Sequence, residues 1–161
     1  MQFRAAPYVL AAGESRRQDA LLPFKACAAD TGGLLSAYEL MLDPWESGPV
    51  LHLHTATDEA LYVLAGSVEA QLGEERVTAG AGGFVWMPRG IAHAFANAGP
   101  DPLVVLALAV PGGLEELLAE QVWYLSSVPD DPDPKVLDEI ADRYGAPTLG
   151  PPIRARDAPP P

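Results

Sequence analysis

Three histidines and one glutamate stand where this chain could do chemistry. His52 and His54 lie two apart in G-P-V-L-H-L-H, Glu59 follows in the next segment, and His93 lies downstream in P-R-G-I-A-H-A-F-A-N. The chain has no other histidine, and its one asparagine, Asn97, sits just beyond His93. Residues two apart in a strand project from the same face, so His52 and His54 would point together while Leu51 and Leu53 pack the other way. A short loop from Thr55 to Asp58 would set Glu59 at the head of the next strand, its carboxylate alongside the two imidazoles. Three imidazoles and a carboxylate can bind a divalent transition metal and leave positions open for water, oxygen or substrate. The competing reading is a set of hydrogen-bonded core or rim histidines, and the grouping of all three with Glu59 favours the metal. Ligation needs neutral imidazoles and an ionised Glu59, so metal affinity should fall in mild acid.

The elements that must position these groups are short. Turn signals recur every eight to twelve residues or so, the spacing of an all-β sandwich or barrel. Leu34 to Leu42 reads as a largely buried strand stopped by Asp43-Pro44, and Val50 to His54 and Glu59 to Leu64 as the two that carry ligands. Ser67 to Leu72 pairs with Glu75 to Thr78 across a tight Gly73-Glu74 turn. Phe84 to Met87, Ala92 to Asn97 and Leu103 to Val110 complete the series. Before them, Tyr8-Val9-Leu10 and Leu21 to Lys25 are short apolar pieces of an irregular or edge-strand lead-in.

After Pro111 the period changes to that of helices. Leu114, Leu117, Leu118, Val122 and Leu125 recur at helical spacing. A second helix is capped by Asp133, opens at Pro134 and stops at Tyr144-Gly145, with Val136, Leu137, Ile140, Ala141 and Tyr144 on its apolar face. Both helices are expected to cover the barrel. The proline-rich stretch 146–161 is expected to be mobile at its end.

Composition excludes several partners. The 161 residues suit one domain, with a barrel core over about 31–110, a helical segment over about 112–145 and the tail. A formal charge of −12 leaves no basic stripe for nucleic acid and disfavours an anionic membrane surface. No run approaches the roughly 20 apolar residues that span a bilayer, and the amino terminus is a poor signal peptide, so a soluble, cytoplasmic protein is expected. Cys27 is alone, which rules out an intrachain disulfide and suits a small buried apolar residue. Scarce lysine, asparagine and isoleucine beside abundant alanine, arginine, glycine and proline suggest a GC-rich bacterial genome.

The two histidine segments resemble the cupin family. Its first motif, G-(x)5-H-x-H-(x)3–4-E-(x)6-G, is matched from His52 through His54 and Glu59 to Gly66. Glu46 stands at the opening glycine position, with a glycine instead at Gly48. The second, G-(x)5-P-x-G-(x)2-H-(x)3-N, is matched in full at Gly82, Pro88, Gly90, His93 and Asn97. The resemblance implies a double-stranded β-helix, or jelly-roll barrel, followed here by the two helices. It implies His52, His54, Glu59 and His93 as ligands of one iron, manganese, nickel, cobalt or zinc ion. It also implies a homodimer, for which edge strands near the amino terminus give a physical reason. The segment V-P-G-G-L-E-E-L-L resembles the small single-domain cupins related to quercetin 2,3-dioxygenase.

Fold does not fix function. The first reading is a dioxygenase acting on an aromatic or enolisable, flavonol-like small molecule. The metal would hold the deprotonated enol oxygen, and Glu59 would serve as ligand or as base. Tyr38, Trp86, Phe95 and Asn97 are candidate substrate contacts, Phe95 and Asn97 by parity with His93; core packing competes for each aromatic. A second reading makes the ion a Lewis acid in an isomerase or cyclase that tailors a natural product. A third makes the chain a non-catalytic small-molecule-binding module.

Overall fold

The computed structural model describes residues 6–17 and 22–160. It contains ten strands and three helices among these residues: β1 (Phe24–Ala26), α1 (Ala28–Thr31), β2 (Ser36–Leu42), β3 (Val50–His52), β4 (Asp58–Ala65), β5 (Ser67–Leu72), β6 (Glu75–Gly80), β7 (Phe84–Met87), β8 (His93–Asn97), β9 (Leu103–Val110), α2 (Leu114–Ser127), α3 (Pro134–Arg143) and β10 (Thr148–Pro152). Two antiparallel five-stranded sheets form, in the orders β1-β2-β9-β4-β7 and β10-β3-β8-β5-β6. This is the expected all-β double-stranded β-helix with two helices near its carboxyl end.

Alternation decides which side chains enter the core. Along β9, Leu103, Val105, Ala107 and Ala109 are buried while the residues between them are not. The same period along β4 and β7 sends Leu61, Val63, Val85 and Met87 inward, where they pack with Phe24, Val68 and Phe95. The β5–β6 hairpin turns at Gly73, whose φ of 59° is of the kind glycine takes at little cost.

Three local expectations change. Tyr8 to Leu10 lies outside the strands, and the strand expected from Leu34 begins at Ser36, leaving Leu34 exposed. Leu21 lies outside the described residues. The tail does not end the fold. Thr148–Pro152 pairs with β3, and Ile153 and Ala155 are buried against Ala94 and Ala96 on the outer face of the second sheet. Arg156 fastens this stretch, its Nε and backbone N–H each donating at 2.8 Å to the buried Glu69 carboxylate. The prolines suit an edge strand, where a missing N–H costs no ladder bond; the expected mobility concerns only the end of the stretch.

The helices are fixed over one mouth of the barrel. Asp133 caps α3 by accepting from the Lys135 N–H at 2.9 Å, and Pro134 opens it. Glu115, in the first turn of α2, is fully buried. Its carboxylate accepts from the Ala28 N–H at 2.6 Å, from the Gly113 N–H at 3.2 Å and from the Ser36 hydroxyl. Those bonds tie α2 to both α1 and β2. No helix among the described residues is long and apolar enough to cross a membrane.

Candidate metal centre

The two ligand segments meet because β3 and β8 are neighbours. His52 lies directly opposite His93 in their register. Beyond β3 the Gly90 N–H donates to the His54 carbonyl at 2.7 Å, which holds the loop so that His54 still faces inward. Glu59 enters from the other sheet, on β4 opposite Met87 and Ala109. The ring centroids stand 4.9 Å apart for His52 and His54, 4.5 Å for His52 and His93, and 5.6 Å for His54 and His93. One donor atom from each of His52, His54, Glu59 and His93 falls within 4.8 Å of all the others.

Hydrogen bonds set the tautomers. His52 Nδ1 is 2.8 Å from the Val50 carbonyl and His93 Nδ1 is 2.9 Å from the Ile91 carbonyl. A carbonyl only accepts, so each Nδ1 carries a proton and donates, and each neutral ring presents its Nε2 lone pair inward. Second-shell bonds of this kind orient metal-bound histidines. Glu59 is held in the same way, its Oε1 accepting from the Tyr38 hydroxyl at 3.1 Å. Glu59 Oε2 faces His93 Nε2 at 3.0 Å and His54 Nε2 at 3.1 Å.

That arrangement tests whether a metal fits. The His93 Nε2 lone pair and the Glu59 carboxylate oxygen at 3.0 Å repel one another unless a proton or a cation lies between them. His54 Nε2 is close to Oε2 but not in hydrogen-bonding direction, and it is a buried polar atom with no partner. A purely hydrogen-bonded cluster accounts for Nδ1 of two rings and leaves this nitrogen unexplained. Donors bound at 2.0–2.2 Å to one ion stand no more than about 4.4 Å apart, so closing from 4.8 Å takes a sub-ångström adjustment. The donor set fits a divalent transition metal.

Charge in the cluster follows from burial and proximity. Burial alone would push the Glu59 carboxyl up, but the imidazoles of His54 and His93 override it and hold the carboxyl well below the usual range. Burial lowers His93, yet the carboxylate of Glu59 more than compensates and its pKa is raised. Burial, followed by the neighbouring His93, lowers His52 to about 4. Burial and then Glu59 push the Tyr38 hydroxyl well above its ordinary value, so it stays a donor.

The donors open into a cavity of about 500 Å3. Its floor holds Tyr38, His52, His54 and Glu59, and its walls include Leu40, Leu42, Val50 and Phe95. Its roof is α2 and α3, through Leu117, Leu118, Leu125 and Leu137, with Gln121 and Asp138 as the polar side chains. Among the described residues, no arginine or lysine lines it.

The structure divides the four candidate substrate contacts. Tyr38 and Phe95 line the cavity. Trp86 does not: it lies on the outer face of β7, 49% exposed, because Val85 and Met87 take the inward positions. Asn97 is fully buried away from the cavity. Its Nδ2 faces the carbonyls of Leu42, Asp43 and Asp101 at 3.2, 2.9 and 2.8 Å, and its Oδ1 accepts from the Gly99 N–H at 3.0 Å. It pins two loops. The contribution of the helices to the cavity has no signature in the sequence, since an apolar helix face looks alike whether it meets a core or a cavity.

Residues 38–109, from β2 to β9, match the family model of the cupin domain. No curated protein matches the chain. Among solved structures, a cupin protein from Bacteroides fragilis is 14% identical, with 69% of this chain and 88% of that one covered at a TM-score of 0.55. A predicted oxalate decarboxylase from Thermotoga maritima is 22% identical, with 56% of this chain and 78% of that one covered at a TM-score of 0.53. At such identities the likeness concerns the fold. The chain therefore carries the cupin double-stranded β-helix, and its residues 38–109 are similar to the cupin domain family.

Proposed function

We propose that this chain is a metal-dependent cupin enzyme, a dioxygenase that acts on an apolar aromatic or enolisable small molecule of the flavonol kind. The observation that carries the reading is the joining of a four-donor cluster to a cavity with apolar walls and, among the described residues, no cationic side chain. A small polyanion such as a dicarboxylate or a sugar phosphate would find no arginine or lysine among the described lining residues and would leave most of the volume unfilled. A planar apolar body with one or two ionisable oxygens suits the walls.

A divalent metal held by His52, His54, Glu59 and His93 would supply Lewis-acid binding of an enolate oxygen and a position for dioxygen beside it. The chain's own residues do the rest. Tyr38 donates to Glu59 Oε1 and so leaves Oε2 turned toward the imidazoles. Glu59 is ionised at neutral pH and is the one carboxylate at the cavity floor, the group placed to accept the enol proton. Leucines of α2 and α3 exclude water from the bound molecule, which strengthens each polar contact below them.

Oxygen uptake by protein reconstituted with each candidate metal, in the presence of a flavonol, tests this. Uptake that stops in Glu59→Gln is expected. No uptake with any metal, together with rearranged product, would replace the dioxygenase with an isomerase or cyclase. A ligand that binds tightly and is recovered unchanged would make the chain a binding module.

A further inference from the structure

Building on the flavonol-type reading of this site, we propose that Gln121 and Asp138 are specificity-determining residues. They bind free phenolic hydroxyls at the end of the substrate that lies away from the metal donors. Leu117, Gln121 and Leu125 stand four apart and form one stripe of α2 toward the cavity, and Pro134, Leu137, Asp138 and Ala141 form a stripe of α3. A helix face that only closed a cavity would be apolar at every such position. These two faces are apolar except at Gln121 and Asp138.

The pairing of the helices sets where the two polar groups stand. The helices run antiparallel: Leu117 packs with Ile140 and Ala141 at one end, and at the other the Asp133 N–H donates to the Tyr124 hydroxyl at 2.8 Å. Leu117 and Ala141 are each 6% exposed, whereas Leu125 is 37% exposed and Pro134 is exposed too. The closed end of the cavity is therefore at Leu117 and Ala141 and its mouth at Leu125 and Pro134. Gln121 is half-buried and about 6 Å along α2 from Leu117, and it shares the stretch between the two ends with the exposed Asp138. His54 and Glu59 are buried at the floor. A molecule held there by its enol oxygen would run its other end out past the two polar side chains.

Both side chains are free to bind. On α2, Glu115 accepts from the Ala28 and Gly113 N–H groups and from Ser36, Glu116 pairs with Arg17, and Glu120 pairs with Arg143. Among the described residues, the Gln121 and Asp138 side chains meet no hydrogen-bonding or ionic partner. A carboxylate only accepts, and an amide both accepts and donates. The ligand group that fits the pair is a hydroxyl, and a bond from a phenol to a carboxylate is of the stronger, charge-assisted kind. A methyl ether has no proton to give there, and a sulfate or carboxylate would face Asp138 with like charge. The substrate class narrows to flavonols that keep free hydroxyls besides the enol.

The test is calorimetric binding to metal-loaded protein under nitrogen, where a ligand is held but not oxidised. The probes are quercetin, with hydroxyls on both outer rings, quercetin methylated at those hydroxyls, and parent flavonol, whose enol is its sole hydroxyl. Quercetin should bind about tenfold or more tighter than either of the others. Gln121→Leu with Asp138→Ala should remove that preference by weakening quercetin, while metal content and the affinity for parent flavonol stay unchanged. Should the double variant misfold, Asp138→Asn alone keeps the shape of an exposed side chain and should cut the preference roughly threefold. Equal affinity of the wild type for the three ligands would overturn the proposal and leave the flavonol reading standing, and so would a preference that survives in the folded double variant. Failure of all three to bind would overturn the flavonol reading itself, and the role of Gln121 and Asp138 with it.

Discussion

Replacing Glu59 by glutamine separates a metal centre from a hydrogen-bonded histidine cluster. The side chain keeps its shape, so any change reports charge and donor capacity. If the cluster exists to stabilise the fold, the carboxylate supports a raised His93, and removing one partner of a buried pair costs about 3–5 kcal/mol. That loss would appear with or without metal. If the cluster exists to hold a cation, the variant loses the one anionic ligand. A unit charge pair 4 Å apart at an effective dielectric of 20 is worth about 4 kcal/mol, which is about a thousandfold in affinity. The glutamine amide can also donate to His54 Nε2 or His93 Nε2, which relieves the lone-pair conflict in the metal-free state. Thermal unfolding against metal concentration reads both. At 100 times its dissociation constant a metal stabilises the native state by about 2.7 kcal/mol, and for a chain of this length that is roughly 5–11 °C. The wild type should show that rise. Glu59→Gln should lose it and, without metal, should melt within a few degrees of the metal-free wild type. An equal metal-induced rise in both proteins would refute the reasoning.

Three further outcomes are expected. Because Glu59 raises the pKa of His93, a metal ion must displace a proton there, so affinity falls as pH drops below that raised pKa, by about tenfold per pH unit for one proton; Glu59, held well below the usual carboxylate range, adds nothing until far lower pH. Calorimetric titration in buffers of different protonation enthalpy would read the released proton, and affinity independent of pH between 5.5 and 7.5 would contradict it. Asn97→Ala strips partners from the Gly99 N–H and three carbonyls in a buried setting and should cost about 2–4 kcal/mol in denaturant unfolding with metal content unchanged; loss of ligand binding at undiminished stability would instead return Asn97 to the substrate. Gly66→Ala should cost about 3 kcal/mol or more, since φ is +76° and a Cβ there would stand 2.5 Å from the Pro102 carbonyl oxygen.

How much of this was legible in the sequence differs by residue. His52 and His54 could be placed on one face from a spacing of two, and Phe84 to Met87 and Leu103 to Val110 could be bounded because strand period and turn residues agree there. The convergence of His93 with them could not be read from spacing. It depends on β3 and β8 being neighbours across some forty residues of chain, and in the sequence it rests on the grouping of the three histidines and on the motif resemblance. Aromatic character alone makes Trp86 a candidate substrate contact, since aromatic side chains suit apolar ligands. Parity within a four-residue strand does not say which face is inner when both faces are apolar, and here both are. Asn97 shows the reverse: its position after His93 marks the motif, yet its hydrogen-bonding neighbours lie at the end of β2 and in two loops, and Leu42 and Asp43 are brought to it by no local pattern. In the tail, proline content predicts mobility at its end but says nothing of the edge strand Thr148–Pro152 or the Glu69–Arg156 latch, both of which depend on distant residues.

The central claim is that His52, His54, Glu59 and His93 hold one metal ion. Elemental analysis of purified protein, wild type beside His52→Ala/His54→Ala, tests it most directly. Near one equivalent per chain of iron, manganese, nickel, cobalt or zinc in the wild type, lost in the folded double variant, is the predicted result. The same metal content in both proteins would contradict it.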